Sequence, residues 1–207
     1  MTDHSAPRTV SIVLFDGFEL LDVFGPVELL GMLPDRFAVE LVAETPGPVA
    51  SSQGTEVIAT SRLDAAHAGD IVLVPGGAGT RPLAHDAAFL GRLAAFAEGA
   101  EIVASVCTGS ALLAAAGLLE GYAATSNKRA FDWASGFGAD VAWRRRARWV
   151  ADRDRWTSSG VAAGMDMTAA LIRHLHGAET ASEVTWRIEL ETHDDPHWDP
   201  FAGPRPA

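Results

Sequence analysis

The sequence has a single cysteine, fewer basic than acidic residues and no recognisable export signal. Cys107 is the only cysteine among 207 residues, so the chain cannot form an intramolecular disulfide. No N-terminal basic stretch leads into an apolar run, and we therefore expect a protein of the reducing cytoplasm. The 16 Lys and Arg residues are outnumbered by 27 Asp and Glu residues, and the net charge of -11 repels phosphate backbones and anionic headgroups. Neither nucleic acid nor a membrane surface is expected as a partner.

One segment could suggest a membrane span and another a nucleic-acid site, and both have a simpler interpretation. The longest uncharged run, residues 102–119, changes from β-branched residues to helix formers after Gly109. This change favours a buried strand leading into a buried helix over a membrane span. The one basic run, residues 144–148, lies between Trp143 and Trp149. The outward face of a hairpin explains that run more simply than a nucleic-acid site does.

Length and composition are those of one globular domain. Hydrophobic residues make up 48% of the chain and charged residues 21%, a balance that allows a sizeable core. The length predicts a single domain, which we place at residues 1–191. The Pro- and Asp-rich tail, residues 192–207, is expected to be either loose or laid over the surface.

Strand and helix patterns alternate along the chain. Short apolar runs predict strands at residues 10–15, 37–42, 71–74 and 102–106. Helical patterns occupy residues 20–33, 87–97, 109–118, 165–175 and 182–190. Because the apolar strands are continuous rather than alternating, they are expected to be buried on both faces. We predict a doubly wound α/β fold, with a mostly parallel sheet between helices and peripheral β-hairpins at residues 49–58 and 141–156.

Cys107 occupies a predicted turn from a strand into a helix. Ligands of open α/β sheets bind beyond the carboxyl ends of the strands, and a sharp turn there resembles a nucleophile elbow. The first turn of a helix supplies N–H donors and positive potential, so we expect a lowered pKa for this thiol. The alternative is a buried cysteine that acts only as a small hydrophobic residue.

A glycine pair follows the strand at residues 71–74. Gly76 and Gly77 could bring backbone N–H groups close to a substrate, as an anion hole requires. The surrounding residues 75–79 lack a Lys-Ser/Thr ending and the spacing of a dinucleotide loop. A phosphate-binding role is therefore not favoured.

Asp22 is the candidate acid or base. It lies among apolar residues just beyond the first predicted strand, where it could cap the helix N-terminus. It could also face the thiol across neighbouring strand ends, where apolar surroundings would raise its pKa and let it carry a proton. None of the 7 histidines follows a predicted strand. The His- and Asp-rich tail lacks clear ligand spacing, so we expect no metal.

Several motifs resemble those of the ThiJ/PfpI superfamily of glutamine-amidotransferase-like proteins. They are VPGG at residues 74–77, SVCTGS followed by LLAAAGLL at residues 105–119, LDVFGP at residues 21–26 and AGMD at residues 163–166. The motifs resemble in particular the isonitrile hydratase branch, and the tail, with Pro200, Phe201, Gly203 and Pro204, is similar to the end of those enzymes. This resemblance implies a flavodoxin-like fold, a homodimer, and activity carried by Asp22, Cys107 and Thr108.

The chain departs from that superfamily at two places. Peptidase-like members have histidine directly after the cysteine, where this chain has Thr108, and so proteolysis is disfavoured. Related hydratases and regulators often have Thr-Thr-His-Trp where residues 125–128 read TSNK. We therefore place Asn127 with Gly76 and Gly77 in the substrate-binding set. Related regulators append a helix-turn-helix module, for which we expect no room in this chain.

Hydration of an isonitrile to an N-substituted formamide is the leading hypothesis. Thiolate Cys107 would attack the isonitrile carbon, Asp22 would protonate the adduct and then activate water, and Thr108 would orient the thiol or a water. The substrate is a small molecule, and no metal or cofactor is expected. The alternatives are a cofactor-free glyoxalase acting on small dicarbonyls, and a non-catalytic stress or ligand sensor whose cysteine is oxidised.

Overall fold

The central feature of the fold is a mostly parallel sheet, seen in a computed structural model that describes residues 6–63 and 69–203. Its seven strands are arranged in the order β10-β11-β7-β6-β1-β2-β5, and only the β10–β11 pair is antiparallel. These strands are β1 (Arg8–Val13), β2 (Phe37–Ala43), β5 (Ser61–Arg62), β6 (Ile71–Val74), β7 (Ile102–Ser105), β10 (Trp149–Asp152) and β11 (Arg155–Ser158). Two further pairs lie outside this sheet, β3 (Gly47–Ala50) with β4 (Glu56–Ala59) and β8 (Tyr122–Ala124) with β9 (Val141–Trp143).

Helices cover the sheet in two groups. Helix α1 packs on α6 and α6 on α7, whereas α2 and α3 each pack on α4. The helices are α1 (Leu20–Gly31), α2 (Thr80–Leu83), α3 (Ala87–Ala97), α4 (Gly109–Ala115), α5 (Phe131–Ala134), α6 (Ala163–His176) and α7 (Ala178–Arg187). Short 3-10 turns add Lys128–Ala130 and Pro200–Ala202. No helix in the described part of the chain is long and apolar enough to span a membrane.

The predicted doubly wound α/β fold is confirmed. Every residue of β6 and β7 is buried, as the continuous apolar runs indicated. Helix α3 has the predicted bounds because Asp86 accepts hydrogen bonds from two N–H groups of its first turn and Phe89 and Phe96 bury its apolar face. The first strand begins and ends two residues earlier than predicted.

The two predicted hairpins differ in outcome. The first is confirmed as the β3–β4 pair, a small separate sheet. The second is shorter than predicted, because Val141–Trp143 pairs in parallel with β8 and only β10 and β11 form the antiparallel pair. Strand β11 also pairs with β7 and is mostly buried, so this hairpin belongs to the main sheet. The basic run therefore lies in the connection between β9 and β10.

The described part of the tail is laid over the surface. The Arg148 N–H donates to the carbonyl of Pro196, and the Asp199 N–H donates to the carbonyl of Arg146. The buried Arg148 guanidinium forms ion pairs with Asp166 at 2.7 Å and with Asp199 at 3.5 Å. Such a buried network ties residues 193–199 to the domain. Pro204 lies outside the described residues.

Candidate active site

Cys107 sits at the turn from β7 into α4 in a strained backbone conformation. Its φ of 57° lies in the left-handed region, which non-glycine residues rarely adopt. A Cβ on Gly109 would lie 2.1 Å from the carbonyl oxygen of Val74, so the turn after the cysteine needs glycine at this point. The turn has the strand–turn–helix form of a nucleophile elbow.

The environment of the thiol raises its pKa, contrary to the sequence-based expectation. Burial, followed by the charge of Asp22, raises the pKa of Cys107 to about 12. Hydrogen bonds from the Val161 N–H, the Asn127 amide and the Thr108 N–H counteract this rise only in part. The prediction of a lowered pKa was wrong because burial and a neighbouring carboxylate outweigh the helix N-terminus. The neutral thiol is the resting form at neutral pH.

Asp22 faces Cys107 and does not cap the helix. The N-cap position of α1 is Glu19, while Asp22 is fully buried within the first turn. Burial raises the pKa of the Asp22 carboxyl to about 7, against hydrogen bonds from the Gly76 N–H and the Cys107 thiol that lower it. Its Oδ2 accepts the Gly76 N–H at 2.8 Å. Its Oδ1 is buried and has no hydrogen-bond partner within the described ranges, which suits a group that gains and loses a proton.

Gly76 and Gly77 do not present free N–H groups to a substrate. The Gly76 N–H donates to Asp22, and the Gly77 N–H donates to the Thr108 hydroxyl oxygen at 3.1 Å. A Cβ on Gly76 would lie 2.5 Å from the Thr108 nitrogen and 2.9 Å from Asp22 Oδ2. The anion-hole expectation is therefore wrong for this structure. The glycines instead allow three segments of the site to approach each other closely.

The Thr108 hydroxyl is held within the protein. It lies 3.1 Å from the hydroxyl of Thr80, the first residue of α2, and it also accepts the Gly77 N–H. This network fixes the loop at residues 76–80 to the cysteine turn. The contact of Thr108 with the thiol is made by its backbone N–H.

Asn127 directs its amide nitrogen at the thiol. The distance from Asn127 Nδ2 to Cys107 Sγ is 3.1 Å. The Asn127 Oδ1 accepts the N–H groups of Arg129 at 2.9 Å and Ala130 at 3.2 Å, which fixes the orientation of the amide. A Cβ on Gly160 would lie 2.5 Å from Nδ2, so the amide is also confined from the β11 side. The structure thus brings Asn127, Asp22, Thr108 and Cys107 together.

Several residues near the thiol have no signal in the sequence. Val161 and Ser159 contribute backbone groups, and no side-chain pattern predicts such a contribution. Arg81 and Trp133 form a cation–π pair, with the guanidinium carbon 3.5 Å from the ring centroid. Arg81 follows the glycine pair by four residues and Trp133 follows Asn127 by six. Only the fold shows that the two segments meet.

A cavity lies apart from the thiol site. A cleft of about 610 Å³ is bounded by the connection between β9 and β10 and by the tail. Its lining includes Trp143, Trp149, residues 144–146 and His197, and none of the thiol-site residues. Within residues 6–63 and 69–203, no group of three or more His, Cys, Asp and Glu side chains could hold a metal ion.

Replacing Asn127 with leucine is expected to slow alkylation of Cys107 by roughly tenfold at a fixed pH below the thiol pKa. Leucine has a similar size but cannot donate to the thiolate, whose formation then costs more free energy. Iodoacetamide labelling followed by mass spectrometry measures the rate at the only cysteine. Gly160→Ala should act in the same direction, since its methyl group displaces the amide. Faster labelling in both variants would contradict this role.

The chain is similar to known proteins over most of its length. The DJ-1/PfpI family matches the chain over residues 8–174. The chain is 37% identical over 180 residues to the isonitrile hydratase of Pseudomonas putida, an alignment that covers 87% of this chain and 77% of the relative. A solved structure of a ThiJ/PfpI family protein from Pseudomonas syringae superposes with a TM-score of 0.82 at 31% identity, covering 92% of this chain and 78% of that chain.

The similarity also extends to a regulator. The chain is 32% identical over 185 residues to the HTH-type transcriptional regulator GbdR of Pseudomonas aeruginosa. That alignment covers 86% of this chain and 50% of the regulator, so the chain spans half of the regulator's length. Enzymes and regulators therefore share this domain.

Proposed function

The chain belongs to the DJ-1/PfpI family, and from this premise we propose that it hydrates an isonitrile to an N-substituted formamide through a covalent thioimidate on Cys107. The observation that carries the proposal is the pairing of a buried thiol with a buried carboxyl whose pKa lies near 7. A group with that pKa can both accept and donate a proton at neutral pH. The similarity to an isonitrile hydratase over 87% of the chain supports the same chemistry.

The first half of the reaction adds the thiol to the isonitrile carbon. The ionised Asp22 carboxyl takes the proton from Cys107 as the sulfur attacks the terminal carbon, and it then delivers that proton to the same carbon. A C–S bond and a C–H bond form, the S–H bond breaks, and the product is a thioimidate. Because the resting thiol is neutral, Asp22 acts first as a base.

The second half transfers water to the adduct. Asp22 takes a proton from water as the water oxygen attacks the thioimidate carbon, and it passes that proton to the imine nitrogen. The C–S bond then breaks as the C=O bond of the formamide forms, the remaining hydroxyl proton passes through Asp22 to the sulfur of Cys107, and the formamide leaves. The Asn127 amide and the N–H groups of Val161 and Thr108 stabilise negative charge on the sulfur in both halves.

The raised thiol pKa weighs against a sensor whose cysteine is oxidised. Oxidation begins from the thiolate, and a pKa of about 12 leaves little thiolate at neutral pH. Turnover does not have this limit, because a neighbouring base removes the proton during the attack.

The experiment mixes the purified protein with an alkyl isonitrile and, separately, with methylglyoxal, and follows both reactions by NMR. We expect formamide from the isonitrile and no lactate from methylglyoxal. Lactate alone would favour a glyoxalase, and neither product would favour a binding or sensing protein. Heat-denatured protein serves as the control for uncatalysed hydration.

We also propose a homodimer in which α1 contributes to the interface. Leu21 and Phe24 flank Asp22 in this helix, and their side chains are 39% and 41% exposed. Exposed apolar residues beside a functional site are typical of an interface. Light scattering should give twice the monomer mass, and Phe24→Asp should shift the protein towards monomer. A dilute wild-type monomer with full activity would refute the dimer.

A further inference from the structure

Arg81 and Trp133 form a cation–π pair near the thiol. The carbon of the Arg81 guanidinium lies over the Trp133 ring, 3.5 Å from the ring centroid. Trp133 is held in turn by an edge contact with Phe137, whose ring centroid is 5.1 Å away. The guanidinium of Arg81, an exposed residue, thus lies against an aromatic row at the protein surface.

The segments that carry Arg81 and Trp133 each contact the turn at Cys107. On one side, the hydroxyl of Thr80 lies 3.1 Å from that of Thr108, and these residues directly adjoin Arg81 and Cys107. On the other side, Asn127 donates to the thiol and starts the 3-10 turn that leads into α5, the helix of Trp133. The stack therefore joins a segment that contacts Thr108, the residue after the cysteine, to a segment whose Asn127 contacts the sulfur.

The charge of Arg81 is not neutralised by the surrounding protein. In the part of the chain that the structure describes, Arg81 forms no ion pair with a carboxylate. Partial burial lowers the pKa of Arg81, and Cys107 would raise it when ionised, so the two groups are within electrostatic reach.

A stacked guanidinium keeps its binding capacity. Stacking occupies one face of the plane, whereas the N–H donors point outward from its edge. Those donors match the two oxygens of a carboxylate, and this pairing is stronger than one between neutral groups.

We propose that Arg81, stacked on Trp133, binds a carboxylate of the substrate, so that the preferred isonitrile is one that carries a carboxylate group. This proposal rests on the hydration reaction proposed above. It assigns the substrate class from a residue pair that touches neither Asp22 nor the bonds that are made and broken. Trp133 is a positioning residue in this account.

The first test compares isocyanoacetate with its neutral ethyl ester as substrates. Wild-type protein is expected to favour the carboxylate in kcat/KM, and Arg81→Met should lower the carboxylate-to-ester ratio by about 10- to 100-fold. Arg81→Lys, which keeps the charge without the planar fork, should give an intermediate ratio. Arg36→Met is the matched control, because Arg36 is exposed and directly precedes β2, at the amino ends of the parallel strands and not at the carboxyl ends where the thiol lies. An unchanged ratio in Arg81→Met would overturn the proposal.

The second test does not depend on hydration. Alkylation of Cys107 by anionic iodoacetate is compared with alkylation by neutral iodoacetamide, and Arg81→Met should lower the iodoacetate-to-iodoacetamide rate ratio by about tenfold. An effect of Arg81 on the thiol itself would change both rates alike and leave this ratio unchanged, which would overturn the proposal. If wild-type protein forms formamide from neither isonitrile, the hydration proposal fails, and the alkylation ratio still decides whether Arg81 binds an anion.

Discussion

Replacing Cys107 with alanine is expected to abolish formamide formation and to leave the fold intact. The reaction loses its nucleophile, and a loss of about 10³-fold or more in kcat corresponds to about 4 kcal/mol of barrier. Removing one small buried side chain should cost only about 1 kcal/mol of stability. Formamide production is measured by NMR, and thermal unfolding by circular dichroism.

The control for this variant separates lost chemistry from lost structure. Ala111 is buried in α4, close to the cysteine turn, and Ala111→Gly removes a similar volume without touching the thiol. We expect that variant to be somewhat less stable and still active. Turnover near the wild-type rate in Cys107→Ala would contradict the assignment of the nucleophile.

Asp22→Asn is expected to lower turnover by roughly 10²–10⁴-fold, the usual contribution of general acid–base catalysis. The amide keeps the size of the carboxyl and can still accept the Gly76 N–H, but it cannot carry the proton. Alkylation of Cys107 should become faster at the same time, because the charge that raises the pKa of the thiol is removed. Near-wild-type hydration by this variant would contradict the mechanism.

The same variant should also change how the free energy of unfolding depends on pH. Folding raises the pKa of Asp22 from 3.8 to about 7, so the folded state binds this proton more tightly than the unfolded chain does. The stability that protonated Asp22 contributes is fully present below pH 3.8 and is lost as the pH rises through about 7. Asp22→Asn should therefore be more stable than wild type above neutral pH, with the difference shrinking in acid. Thermal unfolding across this range measures it, and a variant that is less stable at high pH would contradict the raised pKa.

The fold was accessible from the sequence because its signals are local. The buried runs of β6 and β7 and the periodic face of α3 each lie within a dozen residues, and the turn at Cys107 follows directly from a strand ending before Gly109. The placement of β10 and β11 was less accessible. Strand β11 joins the main sheet by pairing with β7 across about fifty residues of sequence, and no local pattern specifies such a partner.

The electrostatics of the site could not be predicted for the same reason. Whether Cys107 has a high or a low pKa depends on burial and on Asp22, which is distant in the sequence but adjacent in the fold. The glycine pair was correctly placed at a strand end, but the partners of its N–H groups are Asp22 and Thr108. Arg81 and Trp133 carried no sequence signal, because their contact exists only after α2 and α5 are in place.

The covalent intermediate on Cys107 provides the most direct measurement. Wild-type protein is mixed with an isonitrile, quenched with acid during turnover and analysed by intact-protein and peptide mass spectrometry. We predict an added mass equal to one isonitrile molecule on Cys107, its disappearance as formamide accumulates, and neither adduct nor formamide from Cys107→Ala. Formamide produced by Cys107→Ala, or no formamide from the wild-type protein, would contradict this mechanism.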